Sequence, residues 1–332
     1  AALQRELGVE PSERTLEAYA GLYHLATAPS TPSPVLSPRT RAGLVGRIGE
    51  WQQLMLAWTL AAAGHARFLL IGGESGIGKT RLVEEVLQWA AQQGFATAYA
   101  RAYAAEGRLA YDPIAEWLRS ESLRRRVEAL DDIWLEEIVR LAPELRAHRS
   151  NLRMPQPLTE SWQRRHFFEA LARGVLAGPA PLLLAIDDLQ WCDRETLEWL
   201  HYVLRYDSQS RLLIVGAART DEIDDDHPLH VMLHELRQTQ QLTDLALQPL
   251  DAHETVQLAQ QVRGQAFDAD QATRLFRVTE GNPLLILETI RAETPDRQMP
   301  DFAGREAIGD TPPLPAKTQA VIELRLAHLS PE

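Results

Sequence analysis

Residues 73–80 read Gly-Glu-Ser-Gly-Ile-Gly-Lys-Thr, a glycine-rich octapeptide closing on Lys79-Thr80. Glycines at this spacing let successive backbone N–H groups turn into one concavity, and a helix starting there adds the positive end of its dipole. Gly73, Ser75, Gly76, Ile77 and Gly78 would form the wall of such a cradle, with Arg81 just beyond it. Lys79 is a point charge able to reach the β- and γ-phosphates of a nucleoside triphosphate, and the Thr80 hydroxyl is a hard ligand for Mg²⁺. The chemistry these residues suit is the binding of ATP or ADP with Mg²⁺.

A second group lies far down the chain. The apolar run Leu182–Ile186 ends in Asp187-Asp188, which places two carboxylates where open α/β sheets bind ligands. Successive residues at a strand end point in different directions, so the pair divides its work. Asp187 is expected to hold the metal, directly or through water, and Asp188 to orient or deprotonate an attacking water. A further apolar run, Leu212–Gly216, leads through Ala217-Ala218 to Arg219, a candidate catalytic contact to the γ-phosphate alongside Lys79.

Elements of an α/β fold must position these residues. Phe68–Ile71, Phe95–Tyr99, Leu182–Ile186 and Leu212–Gly216 are short continuous apolar runs, with a weaker one at Leu242–Leu247. Such runs mark parallel strands buried on both faces by helices. Lys79–Gln92 has helical patterning, and a long, mostly helical stretch between the second and third strands predicts an insertion or lid. The separation of Lys79 from Asp187 fits folds in which another strand lies between the two motif strands.

After Leu250 the pattern is helical only. Asp251 and Glu254 have capping-box spacing, Asp268 or Asp270 suits a second cap, and Pro283 suits a helix's first turn. Proline-rich and charged residues 294–315 precede an amphipathic stretch carrying Val321, Leu324, Leu326 and Leu329. At the other end, Leu16, Tyr19, Ala20 and Tyr23 predict a helix, and the dense prolines from Pro29 to Pro38 a semi-rigid linker. The expected division is therefore 1–28, a linker at 29–40, an α/β domain at 41–250 and a helical domain at 251–332.

The 332 residues include 46 Asp and Glu against 34 Lys and Arg, a net charge of −12. That balance disfavours direct binding of nucleic acid by this segment, and the run Arg124-Arg125-Arg126 reads as a solvated helix face. Asp224-Asp225-Asp226 has no ligand spacing and reads as a solvated loop. The lone Cys192 excludes an intramolecular disulfide. No apolar run is long enough for a membrane helix and no signal pattern opens the chain, so a cytoplasmic location is expected.

Taken in order, Val45-Gly46-Arg47-Ile48-Gly49-Glu50-Trp51, the octapeptide at 73–80, the strand ending in Asp187-Asp188, the strand ending in Arg219 and Glu280-Gly281-Asn282-Pro283-Leu284 resemble the STAND class of signal-transduction ATPases. Within that class they resemble the AAA-like modules of large bacterial transcriptional regulators. Residues 1–28 resemble the last helices of a bacterial transcriptional activation domain. The resemblance implies that Val45 and Arg47 lie by the adenine and ribose, that Pro283 packs on adenine, and that Arg219 senses the γ-phosphate. It further implies a slowly hydrolysing regulatory switch, flanked in the full-length protein by DNA-binding and sensor domains, with a homo-oligomer that depends on nucleotide. A mechanochemical AAA-type ATPase acting on DNA or protein complexes is the alternative, and a small-molecule kinase a third reading for which no acceptor motif is present.

Overall fold

The computed structural model describes residues 44–104, 110–149, 151–223 and 227–293. Expectations for residues 1–40, Asp224–Asp226 and 294–332 fall outside the described residues.

Five parallel strands form one sheet: β1 (Arg67–Gly72), β2 (Ala96–Arg101), β3 (Leu182–Asp187), β4 (Leu212–Ala218) and β5 (Leu242–Ala246), in the spatial order β2-β3-β4-β1-β5. β4 therefore stands between β1 and β3, the strands that carry the two motifs. Alternation along each strand explains its continuous apolar character. Phe68, Leu70, Leu182, Leu184, Leu212 and Ile214 join one core. Leu69, Ile71, Leu183, Ala185, Leu213 and Val215 join another on the opposite face. β5 pairs only with β1 at an edge and is half exposed, the physical reason for its weaker pattern.

One face is covered by α1 (Ile48–Ala62) and α2 (Lys79–Gln92). The other is covered largely by the stretch between β2 and β3, which folds as α3 (Asp112–Arg119), α4 (Glu121–Glu128), α5 (Asp132–Ile138), α6 (Leu145–His148) and α7 (Ser161–Leu176), together with α8 (Arg194–Tyr206) and α9 (Pro228–Gln238). The expected lid is thus a structural layer. Trp117 and Phe167 are fully buried in it, and the Trp117 indole N–H donates to the Ala185 carbonyl of β3 at 3.0 Å. Patterning alone does not say which surface a helical stretch covers.

The second strand begins one residue later than expected and runs on to Arg101. Its register sets Ala96 beside Leu182 and Arg101 beside Asp187, while Phe95 joins the aromatic cluster of Trp58 and Trp89. In α4, Arg124 and Arg125 form surface ion pairs with Glu121, as a solvated face should. Arg126 instead is half buried and donates to the carbonyls of Val175 and Ala180, tying down the turn before β3.

Three helices follow β5: α10 (Ala252–Arg263), α11 (Ala269–Thr279) and α12 (Pro283–Glu293). Asp251 and Glu254 form a reciprocal capping box, and Asp268 with Gln271 forms another. Leu250, Ala259, Leu275, Ile286 and Ile290 make their separate small core. Between α11 and α12, Gly281 has φ +75°, and a Cβ there would lie 1.9 Å from the Leu250 carbonyl oxygen. Only glycine fits so close an approach of two backbones.

Candidate active site

α2 starts directly from the cradle. Its N-cap is Gly78, at φ +104°, with no side-chain cap on the helix's first N–H groups. Those donors and the helix dipole are left facing the C-terminal edge of the sheet, where an anion is favoured. Gly73 and Gly76, at φ +147° and +78°, supply conformations that side chains rarely adopt.

The Lys79 ammonium donates to the carbonyls of Gly73 and Glu74 at 2.7 and 2.8 Å. Burial and then the Arg219 guanidinium lower its pKa, against the pull of Asp187 and Asp188. The hydrogen-bond partners of Lys79 are neutral carbonyls, for which a triphosphate would substitute charged oxygens. Thr80 Oγ1 donates to Asp187 Oδ2 at 2.7 Å, joining the start of α2 to the end of β3 across 107 residues. Asp187 is almost fully buried, and burial raises its carboxyl above the usual range despite that hydrogen bond. Its other oxygen accepts the Asp188 N–H at 3.0 Å. The Thr80 hydroxyl and the Asp187 carboxylate form an adjacent pair of hard oxygen donors beside the cradle. That donor set fits Mg²⁺, which takes few protein ligands and completes its shell with phosphate and water.

Asp188 stands at φ +53°, a left-handed conformation that Asp tolerates better than most residues. The turn gives its carboxylate partners that Asp187 does not share. Oδ2 accepts from Nε and Nη2 of Arg101, at 2.9 and 2.7 Å, and Oδ1 accepts from Gln190 at 3.2 Å. Arg219 Nε is 3.9 Å from Asp188 Oδ1. The Arg219 guanidinium also pairs with Glu222 and lies 5.1 Å from the centroid of the Trp191 ring, and the backbone N–H of Arg219 donates to Gln190 Oε1 at 3.1 Å. Lys79, Thr80, Asp187, Asp188 and Arg219 are thereby gathered at one end of the sheet.

The remaining candidates lie around the cradle in other ways. Arg47 is buried, with Nη2 donating to the Ile77 carbonyl at 3.1 Å and Nη1 to Glu50 at 2.8 Å. Val45 is half buried in the segment leading to it. Ile77 is buried in the core behind the loop, and the Arg81 guanidinium turns along α2 to Glu85 and Glu84. Pro283 opens α12 in a turn that touches the cradle: Asn282 Nδ2 donates to the Ser75 carbonyl at 3.1 Å, and the Leu284 N–H to the Gly76 carbonyl at 3.2 Å.

Sequence reasoning missed Arg101, Gln190 and Asn282. Arg101 ends a strand otherwise made of small and half-buried residues, and its partner is 87 positions away. Nothing local distinguishes it from a surface arginine. Gln190 lies only two residues past Asp188, but it is the fold that turns it back to that carboxylate.

Residues 43–215 match the AAA ATPase domain family. Solved structures of similar chain path include the Aeropyrum pernix ORC1 protein in complex with DNA, 15% identical with a TM-score of 0.42, covering 89% of this chain and 68% of that one. Domain III of the Thermotoga maritima replication initiation protein DnaA is 13% identical with a TM-score of 0.40, covering 79% and 92%. A Thermotoga maritima RuvB mutant is 13% identical with a TM-score of 0.41, covering 75% and 62%. No curated protein sequence matches the chain.

Proposed function

The chain belongs to the AAA ATPase domain family and is an ATPase, and from that premise we propose that it is the regulatory switch of a STAND-class bacterial transcriptional regulator. In this reading ATP is bound and slowly hydrolysed to set the arrangement of the helices after β5, rather than to drive a metabolic reaction. The observation that carries it is the turn at residues 281–284, which opens α12 and hydrogen-bonds the cradle at Ser75 and Gly76. A change of ligand in the cradle therefore reaches the helical segment through a single layer of contacts.

Residues 73–80 would receive the phosphates, with Lys79 exchanging its carbonyl partners for the β- and γ-oxygens. Thr80 and Asp187 would hold Mg²⁺, which neutralises phosphate charge when bound. Asp188 would orient the attacking water and take its proton, held in place by Arg101 and Gln190. Arg219, 3.9 Å from Asp188, would report the γ-phosphate. Val45, Arg47 and Pro283 would border the adenosine. Flanking DNA-binding and sensor domains, a cytoplasmic setting and nucleotide-dependent self-association belong to the same proposal.

A nucleotide shifts such an equilibrium only by its differential affinity for the two states. The test compares backbone hydrogen exchange of α10–α12 with ATP and with ADP, using Asp188→Asn to keep ATP intact. Different protection of these helices in the two states is expected. Identical protection, with both nucleotides bound, would rule out the switch.

A further inference from the structure

Each carbonyl from Gly73 to Ile77 accepts a hydrogen bond, and the donors fall into two sets. Gly73 and Glu74 are held by Lys79, a member of the same motif. Ser75, Gly76 and Ile77 are held from outside it, by Asn282 Nδ2, the Leu284 N–H and Arg47 Nη2 at 3.1, 3.2 and 3.1 Å. In a planar trans peptide the C=O and the following N–H point opposite ways. The Ile77 N–H is taken by the Glu74 carbonyl at 3.4 Å, and fixing the carbonyls of residues 75 and 77 fixes the N–H groups of Gly76 and Gly78. These are the donors on which a phosphate-binding loop depends.

Asn282 serves two ends with one planar amide. Its Oδ1 accepts from the N–H groups of Leu284 and Leu285, at 3.0 and 3.5 Å, and caps α12. That leaves Nδ2 to face Ser75. Capping alone is met equally well by Ser, Thr or Asp, whereas only an amide adds a donor on the far side. The contact is also interlocked: a Cβ on Gly76 would lie 2.7 Å from Leu284 Cβ.

We propose that Asn282 is a positioning residue for nucleotide binding: its amide sets the Ser75–Gly76 peptide so that the Gly76 N–H faces the phosphates. This rests on residues 73–80 being the phosphate cradle. Affinity for ATP then depends on the seating of α12, and by reciprocity ATP strengthens that seating. Arg47 does the same for the Ile77–Gly78 peptide from the opposite flank.

The test uses the full chain with Asn282→Ser, which keeps a capping oxygen but is too short to reach Ser75, and with Asn282→Asp, which keeps the acceptor and loses the donor. For Asn282→Ser the Kd for ATP and the KM rise about fivefold, the loss of one hydrogen bond. Its kcat stays within about twofold, and its thermal midpoint without nucleotide falls by no more than the loss of one hydrogen bond, a few degrees. Asn282→Asp loses more affinity, because it sets a carboxylate against the Ser75 carbonyl and pushes that peptide out of place. In the parent chain ATP slows exchange of the Leu284 amide, and in both variants this protection shrinks. Wild-type affinity in Asn282→Ser, alongside about 100-fold weaker binding in Lys79→Ala, overturns the proposal and leaves the cradle standing. Wild-type binding by Lys79→Ala overturns the cradle itself. A loss of affinity with the Leu284 protection by ATP unchanged in both variants assigns Asn282 to the helix cap alone and also overturns the proposal.

Discussion

Asp187 and Asp188 are adjacent carboxylates with opposite surroundings. Asp187 is enclosed with a hydroxyl for a partner, and Asp188 meets a guanidinium. Because burial raises the folded pKa of Asp187, the native state holds its proton more tightly than the unfolded chain does. The stability Asp187 contributes is therefore fully present below the usual carboxylate value and is lost as pH rises through the raised one. Asp187→Asn should remove that decline and raise stability at neutral pH by about 1 kcal/mol while hydrolysis is lost; thermal melts across pH check the first and phosphate release the second. Lys79→Ala should weaken ATP binding about 100-fold, as removal of a charged partner does, measured by calorimetry. Lys79 has a lowered pKa, so ATP affinity in the parent chain should begin to fall at a pH below the ordinary lysine value. Asp188→Asn should bind ATP normally and turn over about 100-fold more slowly, read in single-turnover assays. Arg101→Ala should reduce kcat about tenfold at constant KM, since it releases the carboxylate from its aim; a raised kcat would mean that Arg101 restrains Asp188 instead.

At the level of elements, what was legible followed from local physics. Strands buried on both faces write continuous apolar runs, and β1, β3 and β4 were readable for that reason. The cradle was readable because its glycines, lysine and threonine are contiguous. The Asp251 cap was readable because its partner lies three residues on, whereas spacing left Asp268 and Asp270 open as the second cap and the structure selects Asp268. What was not legible depends on pairing across the fold: Arg101 with Asp188, Asn282 with Ser75, and the face on which α3–α7 lie. Gly281 shows how narrow such pairings are. Gly281→Ala should cost about 3 kcal/mol or more, because both its φ and its contact with the Leu250 carbonyl forbid a Cβ. The expected signature in denaturant is early loss of the α10–α12 core, followed by hydrogen exchange, with the sheet melting later.

For the whole molecule, the acidic balance of −12 bears on the choice between a switch and a machine that acts on DNA. A chain whose field repels phosphates should show ATP hydrolysis unaffected by added duplex DNA at moderate salt. A stable ring in mass measurements with ATP, together with DNA-stimulated turnover, would favour the mechanochemical reading. Among the described residues no helix is long and apolar enough to cross a membrane.

The bonds that build the site span unusual lengths of chain: 87 residues from Arg101 to Asp188, 107 from Thr80 to Asp187 and 207 from Ser75 to Asn282. Contacts so distant form late, because each closes a long loop before anything rewards it. A ribosome that has released α2 has made the entire octapeptide and, of the outside donors that hold its carbonyls, only Arg47; Asn282 and Leu284 are still to come. Competence for nucleotide should therefore be the last property this chain acquires as it emerges, and in refolding it should lag behind the return of helical signal. A half-made chain would then bind its nucleotide too weakly to be mistaken for a finished one.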